Sequence, residues 1–410
     1  MIRAEEFCKR VFDGTHETPK PSENGYKLLT SKNILDGFLD KSNAYYISEE
    51  DYNSINKRSG VQTWDILFSM IGTVGNVCLI HDSKIDFAIK NMGVFSCEDE
   101  WKAKWLYFYF QSPYAKSVIK NYLNGAVQKF LPLEVLRDFP VPQFDCNKEH
   151  ITKFLWSIER KLSLNRNINA TLEAMAKTLY DYWFVQFDFP DEKGRPYKTS
   201  GGKMVYNEEL GREIPAGWEV GNLNVIAEYI NGLACQRYRP AEDEDYLPVV
   251  KIREIHEGVQ ADTERVSANI PDNNIIHDGD ILFSWSATLE VHYWIGGKAG
   301  LNQHIFKVMP KDGFCREYVY YQLKEYVINF SKIAEARKTT MGHITQDHLD
   351  LSRIAIPPRH VMSSFQKIVC PIHESMIKCK QENLRLAALR DWLLPMLMNG
   401  QVGFKGEAND

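Results

Sequence analysis

From Ile151, alternating steps of four and three residues land on Leu155, Ile158, Leu162, Asn165, Asn169, Leu172, Ala176, Leu179 and Trp183. From Phe365 the same steps land on Val369, Ile372, Met376, Cys379, Asn383, Leu386, Arg390, Leu393 and Leu397. A mean spacing of 3.5 residues keeps one stripe of a helix facing a partner helix, so both stretches predict coiled-coil helices. Neither run contains glycine. Pro371 falls near the start of the second run and Pro395 near its end, where proline disrupts a helix least. At 1.5 Å per residue each helix is expected to be roughly 45 to 50 Å long, the length of a spacer rather than of a core helix. The two stripes can satisfy each other as an antiparallel or crossed pair. The expected contacts are Ile158, Leu162, Asn169, Leu172 and Leu179 on one helix and Ile372, Met376, Asn383, Leu386 and Leu393 on the other. Asn169 and Asn383 stand at equivalent positions, and a polar seam residue fixes register at some cost in stability. The competing expectation is two ordinary core helices with the asparagines on a wet flank.

The seams belong to a larger repeat. DILFS occurs at Asp65–Ser69 and again at Asp280–Ser284, 215 positions on. Leu133, Arg137 and Pro142 fall opposite Leu349, Arg353 and Pro358; Ile158, Asn169 and Leu172 fall opposite Ile372, Asn383 and Leu386. Internal repetition at a nearly constant offset means one architecture used twice. The expected fold is α+β (mixed α/β): two globular domains separated by a pair of long antiparallel coiled-coil helices, related by a pseudo-two-fold internal repeat. The boundaries read as a first globular domain over residues 1–145, a helix over 146–187, a connector over 188–221, a second globular domain over 222–360, a second helix over 361–402, and a tail over 403–410. The connector is rich in Gly, Pro and charge and lacks apolar periodicity. Residues 247–255 and 281–285 have strand composition, and residues 101–122 and 317–336 read as helices in corresponding places.

Composition narrows the function classes. With 44% hydrophobic and 12% aromatic residues the chain can bury proper cores. No stretch has the ~20 apolar residues of a bilayer span and the N-terminus lacks a signal-peptide layout, so a cytoplasmic protein with no membrane partner is expected. The 8 cysteines form no Cys-x-x-Cys pair, and no histidine cluster has zinc-ligand spacing, so no metal site is expected. A net charge of -5 gives no support to nucleic-acid binding by itself, although the layout of charge matters more than its sum. The only Pro-Pro lies in IPPRH (Ile356–His360), which is not the loop an adenine methyltransferase places around a flipped base. The GGK at Gly201–Lys203 fails as a phosphate loop, because Tyr197 stands where the first glycine belongs and Met204 where Ser or Thr belongs.

Several passages resemble type I restriction-modification specificity subunits, and the resemblance covers nearly the whole chain. Residues 158–190 (IERKLSLNRNINATLEAMAKTLYDYWFVQFDFP) with 202–220 (GKMVYNEELGREIPAGWEV) are similar to the central conserved region of that family, and 383–402 (NLRLAALRDWLLPMLMNGQV) to the distal one. DGTHETP (13–19) and DILFSMIGTVGN (65–76) resemble one kind of recognition domain; DILFSWSATLEVHYW (280–294) and LNQHIFKV (301–308) resemble another. The resemblance implies a non-catalytic subunit in which each recognition domain reads one half of a split double-stranded DNA target. The paired helices would hold the halves at a fixed separation and dock two methyltransferase subunits, and restriction/motor subunits would join the complex. It implies no cofactor in this chain, with S-adenosylmethionine, ATP and Mg on the partner subunits. One departure is that the first recognition domain begins only a dozen residues before DGTH, so an N-terminal helical segment seen in some relatives is expected to be short or missing.

A DNA reader needs cationic or amide side chains on loops that reach phosphates, and a few that meet base edges. In the first half the candidates are His16, Lys20, Lys32 and Asn33, with Lys57 and Arg58 ahead of a strand. In the second they are Gln236, Arg237, Lys251, Arg253, Arg337 and Lys338, together with Asn302, Gln303 and His304, since amides pair bidentately with adenine in the major groove. A polar turn bonded to its own backbone is the alternative for that last trio. Trp285 and Trp294 are expected in the core, because Ile281, Phe283 and Trp285 share one face of a strand. Two rival functions remain. One is a stand-alone DNA endonuclease whose metal ligands lie among Glu98, Asp99 and Glu100, a trio otherwise read as a solvated helix start. The other is an assembly protein that never meets DNA.

Overall fold

The computed structural model describes residues 1–35, 37–123, 130–286, 288–336, 344 and 346–403. The chain divides into two units, Met1–Leu162 with Leu386–Asp410, and Ser163–Arg385.

In the first unit, strands β1 (Arg10–Asp13), β2 (Tyr26–Thr30), β3 (Asp65–Ser69), β4 (Val77–Leu79), β5 (Phe87–Lys90) and β6 (Met92–Ser96) form two sheets. One sheet is antiparallel in the order β1-β6-β3-β4; in the other β2 runs parallel to β5. All five residues of β3 are buried, and strand alternation explains the composition of DILFS. Ile66 and Phe68 join one core cluster with Phe95 and Phe110, while Leu67 joins a second cluster with Leu29 and Ile89. Helix α1 (Glu49–Ser59) starts at Ser48, whose hydroxyl accepts the Asp51 N–H. It carries Lys57 and Arg58 in its last turn, ahead of strand β3. The stretch 101–122 is two helices, α2 (Glu100–Gln111) and α3 (Pro113–Leu123), because Pro113 suits only a first-turn position.

The second unit repeats this plan. Strands β7 (Ala227–Asn231), β8 (Tyr246–Val250), β9 (Ile281–Ser284), β10 (Glu290–Tyr293), β11 (Ala299–Leu301) and β12 (Ile305–Pro310) give an antiparallel sheet ordered β7-β12-β9-β10 and a parallel β8·β11 pair. The two antiparallel sheets have the same strand order, so the sequence repeat is a topological repeat. LPVVKIREI is half strand and half helix, since β8 ends at Val250 and a short helix spans Ile252–Glu257. The expected connector is built into this unit: Met204–Asn207 pairs with Arg212–Pro215, and Phe189, Ile214 and Trp218 are buried in its core.

The two long helices are Cys146–Tyr180 (35 residues, continued by a π turn at Asp181–Val185) and Arg359–Met398 (40 residues). Both units contain a segment of each, and within each unit the segments pair. In the first, Ile151 and Leu155 share a core with Leu394 and Leu397, and the Arg390 Nη1 lies 3.1 Å from the Glu159 Oε2. In the second, Asn165 Nδ2 donates to Glu382 at 2.7 Å and to Asn383 at 3.0 Å, and the rings of Trp183 and Phe365 lie 5.5 Å apart. Contacts run down one helix as they run up the other, which makes the pairing antiparallel. Ile158, Leu162, Asn169 and Met376 are buried, while Leu172, Leu179, Ile372, Asn383, Leu386 and Leu393 are half-buried. The polar partner of Asn383 is Asn165, one seam position from Asn169. Pro371 lies well inside its helix rather than near the start, at a position where proline costs an isolated helix about 3 kcal/mol. The fully buried Val369 and His373 on either side of it supply tertiary packing that an isolated helix lacks.

Candidate nucleic-acid interface

The loop that leaves the first strand of each antiparallel sheet is clasped to the crossover between the two sheets by a matching set of backbone hydrogen bonds. In the first unit Gly14 N donates to Met92 O (2.8 Å), Thr15 N to Ile89 O (3.0 Å) and Asn91 N to Thr15 O (3.1 Å). In the second, Gly232 N donates to Ile305 O (3.1 Å), Leu233 N to Leu301 O (2.8 Å) and Gln303 N to Leu233 O (2.9 Å). Glycine is required at the crossing in both. A Cβ on Gly14 would lie 2.6 Å from Ile89 O, and one on Gly232 would lie 2.1 Å from Asn302 O. DGTH and LNQH, both singled out in the sequence as parts of recognition domains, are therefore parts of corresponding clasps.

In the first unit the clasp presents a hydrogen-bonded polar group. His16 bonds Asn91 Oδ1 (2.8 Å) through Nδ1 and Asp13 (2.9 Å) through Nε2, and Arg58 donates to Asp13 (3.1 Å) and to Gly14 O (3.2 Å). Asn91 sits at φ 52, in the left-handed region that asparagine tolerates better than most side chains. Lys20, Lys32 and Lys57 are exposed and carry no ion pair among the described residues. Asn33 is buried; its amide accepts the Thr30 N–H (2.8 Å) and donates to Asp40 O (2.9 Å), which closes a local turn.

In the second unit the clasp borders a cavity of about 450 Å³ lined by residues 231–234, Arg237, Tyr238, Trp285, Gln303 and His304. Trp285 is half-buried, with its ring 5.9 Å from His304 and 5.7 Å from Phe306. Trp285 packs against the core cluster that holds Ile281, Phe283 and Phe306, and Trp294 is buried at 2% exposure, so both are core aromatics as expected. Arg237 and Gln236 are exposed on a single 3-10 turn. Asn302 is buried and its Oδ1 accepts the His304 N–H at 3.3 Å, the self-bonded turn weighed as the alternative; Gln303 and His304 face the cavity. Lys251 and Arg253 are held by acids, Lys251 by Glu264 (2.6 Å) and Arg253 by Asp262 (3.0 Å). The bond to Asp262 raises Arg253 above its ordinary value, so that cation is already matched within the chain. Arg337 and Lys338 lie outside the described residues.

Residues 215–372 match the family model described as the type I restriction modification DNA specificity domain. The chain is homologous to type I restriction-modification specificity subunits. It is 22% identical over 315 residues to the type I restriction enzyme MjaIX specificity subunit of Methanocaldococcus jannaschii, covering 73% of this chain and 69% of that protein. It is 24% identical over 307 residues to the HindI specificity subunit of Haemophilus influenzae, covering 62% and 67%. The crystal structure of the type I restriction-modification S subunit from M. genitalium shares the fold over 96% of this chain and 94% of that one, with a TM-score of 0.55 at 14% identity. The specificity-subunit homology spans the second clasp and its cavity, which lie within the matched residues. Among the described residues no helix is long and apolar enough to cross a membrane.

Trp285 and Tyr238 are the cavity residues that sequence reasoning missed. Trp285 packs on the same core cluster as Ile281 and Phe283, as strand alternation expects, and it also lines the cavity, which alternation does not reveal.

Proposed function

We propose that this chain is the non-catalytic DNA-specificity subunit of a cytoplasmic type I restriction-modification complex. Each unit reads one half of a bipartite double-stranded target. The paired helices set the interval between the halves and dock two methyltransferase subunits, with restriction/motor subunits completing the assembly. Homology to specificity subunits supports the assignment, and the observation that carries it to particular residues is the duplicated clasp. One backbone framework occurs twice, once carrying His16, Asn91 and Arg58 and once carrying Arg237, Gln303 and His304, as expected of two readers with different targets. Exposed Lys20, Lys32, Lys57 and Gln236 flank the clasps in sequence as phosphate contacts, which position a protein on DNA without reading sequence. The overall charge of -5 leaves part of the positive field to partner subunits.

The endonuclease alternative loses its best ligands. Asp99 caps α2 by accepting the Lys102 N–H at 2.8 Å, Glu98 pairs with Lys9, and Glu100 pairs with Lys104. Methylation-site sequencing of cells carrying this chain and its methyltransferase tests the proposal. A split motif with an unread gap is expected, and a continuous motif or none would refute it.

A further inference from the structure

His256, Glu290 and His292 converge at one point of the second unit, and none of them is among the residues that line the clasp cavity. Both imidazole Nε2 atoms reach the same carboxylate oxygen of Glu290, His256 at 2.9 Å and His292 at 2.8 Å. One ligand atom from each of the three residues lies within 4.8 Å of the others. Nothing in the sequence spacing announces the group. Glu290 and His292 stand two apart on β10, an edge strand, so they share a face, and His256 comes from the last turn of the short helix Ile252–Glu257.

We propose that these three side chains form a binding site for a first-row divalent metal ion, Zn²⁺ in the first instance, with one coordination position left open. Two imidazoles and one carboxylate are a ligand set that zinc takes with an open fourth position. Bond lengths near 2.1 Å in a tetrahedral site put ligand atoms about 3.4 Å apart, so each histidine need only withdraw from Glu290 by about half an ångström. The rings are 5.3 Å apart at an interplanar angle of 80°, an open angle that lets both nitrogens face one ion. The nearby Lys324 is matched by Glu173 at 3.2 Å. The site is also accessible, with side-chain exposures of 47% for His256, 28% for Glu290 and 37% for His292. A bound ion would tie the helix after β8 to the edge of the β7-β12-β9-β10 sheet, and so stiffen the unit that carries the cavity without entering the cavity.

The test uses the full chain, free of any affinity tag and dialysed against EDTA, titrated with Co²⁺ and then with Zn²⁺. The expected result is a visible d–d absorption that saturates at one Co²⁺ per chain and is bleached by one Zn²⁺, together with a Zn²⁺-dependent rise in the thermal midpoint. His256→Ala replaces an exposed side chain and should preserve the far-UV spectrum while weakening Co²⁺ binding at least tenfold, roughly the least that losing even an outer partner costs a metal site. His277→Ala, at another exposed histidine of this unit, should change nothing. Absence of the one-equivalent band, unchanged binding in folded His256→Ala, or an equal loss in His277→Ala would overturn the proposal. The outcome is separate from DNA reading, which the methylation motif reports.

Discussion

Arg390→Met isolates the cost of the charge pair buried in the helix seam of the first unit. The Arg390 and Glu159 side chains are 6% and 9% exposed, with Nη1 and Oε2 3.1 Å apart, and Arg390 Nε also donates to Asp391 at 2.9 Å. Burial opposes the Arg390 charge, but the Asp391 hydrogen bond and the Glu159 and Asp391 charges outweigh it and hold its pKa above the ordinary value. The pair is therefore screened little by solvent, and the magnitude of a buried ion pair applies. Breaking a buried ion pair by removing one partner costs about 3–5 kcal/mol, whereas replacing both by apolar side chains of similar volume is often neutral or stabilising by about 1–4 kcal/mol. Arg390→Met should lower stability by about 3 kcal/mol or more, and Glu159→Leu/Arg390→Met should recover most of that loss. Urea unfolding of the three proteins gives the numbers, provided the slopes agree. A loss below about 1 kcal/mol in the single variant, or a double variant no better than the single, would refute the claim that this pair is desolvated in a helix–helix seam.

Three further outcomes follow from other parts of the fold. His373 is fully buried among the rings of Tyr293, Tyr320 and Tyr321, with Arg316, Lys324, Lys380 and Glu173 acting on it, and burial pulls its pKa down to about 4. The unfolded chain takes up that proton near pH 6.5, so stability present above pH 6.5 should fall as pH drops toward 4, by up to about 3 kcal/mol, and His373→Phe should flatten that slope in urea titrations at stepped pH. Gly232→Ala forces a Cβ to 2.1 Å from a backbone oxygen and should cost about 1–3 kcal/mol while weakening reading of the second half-site alone, as judged by melting and by methylation at variant sites. Adding one heptad to each long helix preserves the seam's facing and should lengthen the unread gap without changing the bases read, which sequencing of methylated sites reports directly.

The helices and the repeat were legible because each is written as a period. Burial at Ile151, Leu155, Ile158, Leu162 and Asn165 follows the four-three pattern, and DILFS opens or fills the same strand in both sheets. What spacing does not encode is which groups meet from distant segments. Lys251 and Arg253 looked available for phosphate because their acids, Glu264 and Asp262, arrive from the far side of a turn. Asn33 reads as a loop amide until its own turn claims it. Trp285 packs on the core with Ile281 and Phe283, while its place beside the cavity depends on residues that arrive from distant segments. The His256–Glu290–His292 group joins a short helix to a strand more than thirty residues further along the chain, so no local pattern marks it. Residues 188–221 lacked periodicity because their aromatics reach the core from turns rather than along a regular face.

Independent reading by two duplicated units is tested most directly by exchanging residues 1–145 for the corresponding part of another specificity subunit and sequencing the methylated sites of the hybrid complex. The account predicts a split motif in which one half is new and the other half is unchanged. A motif altered in both halves would contradict it.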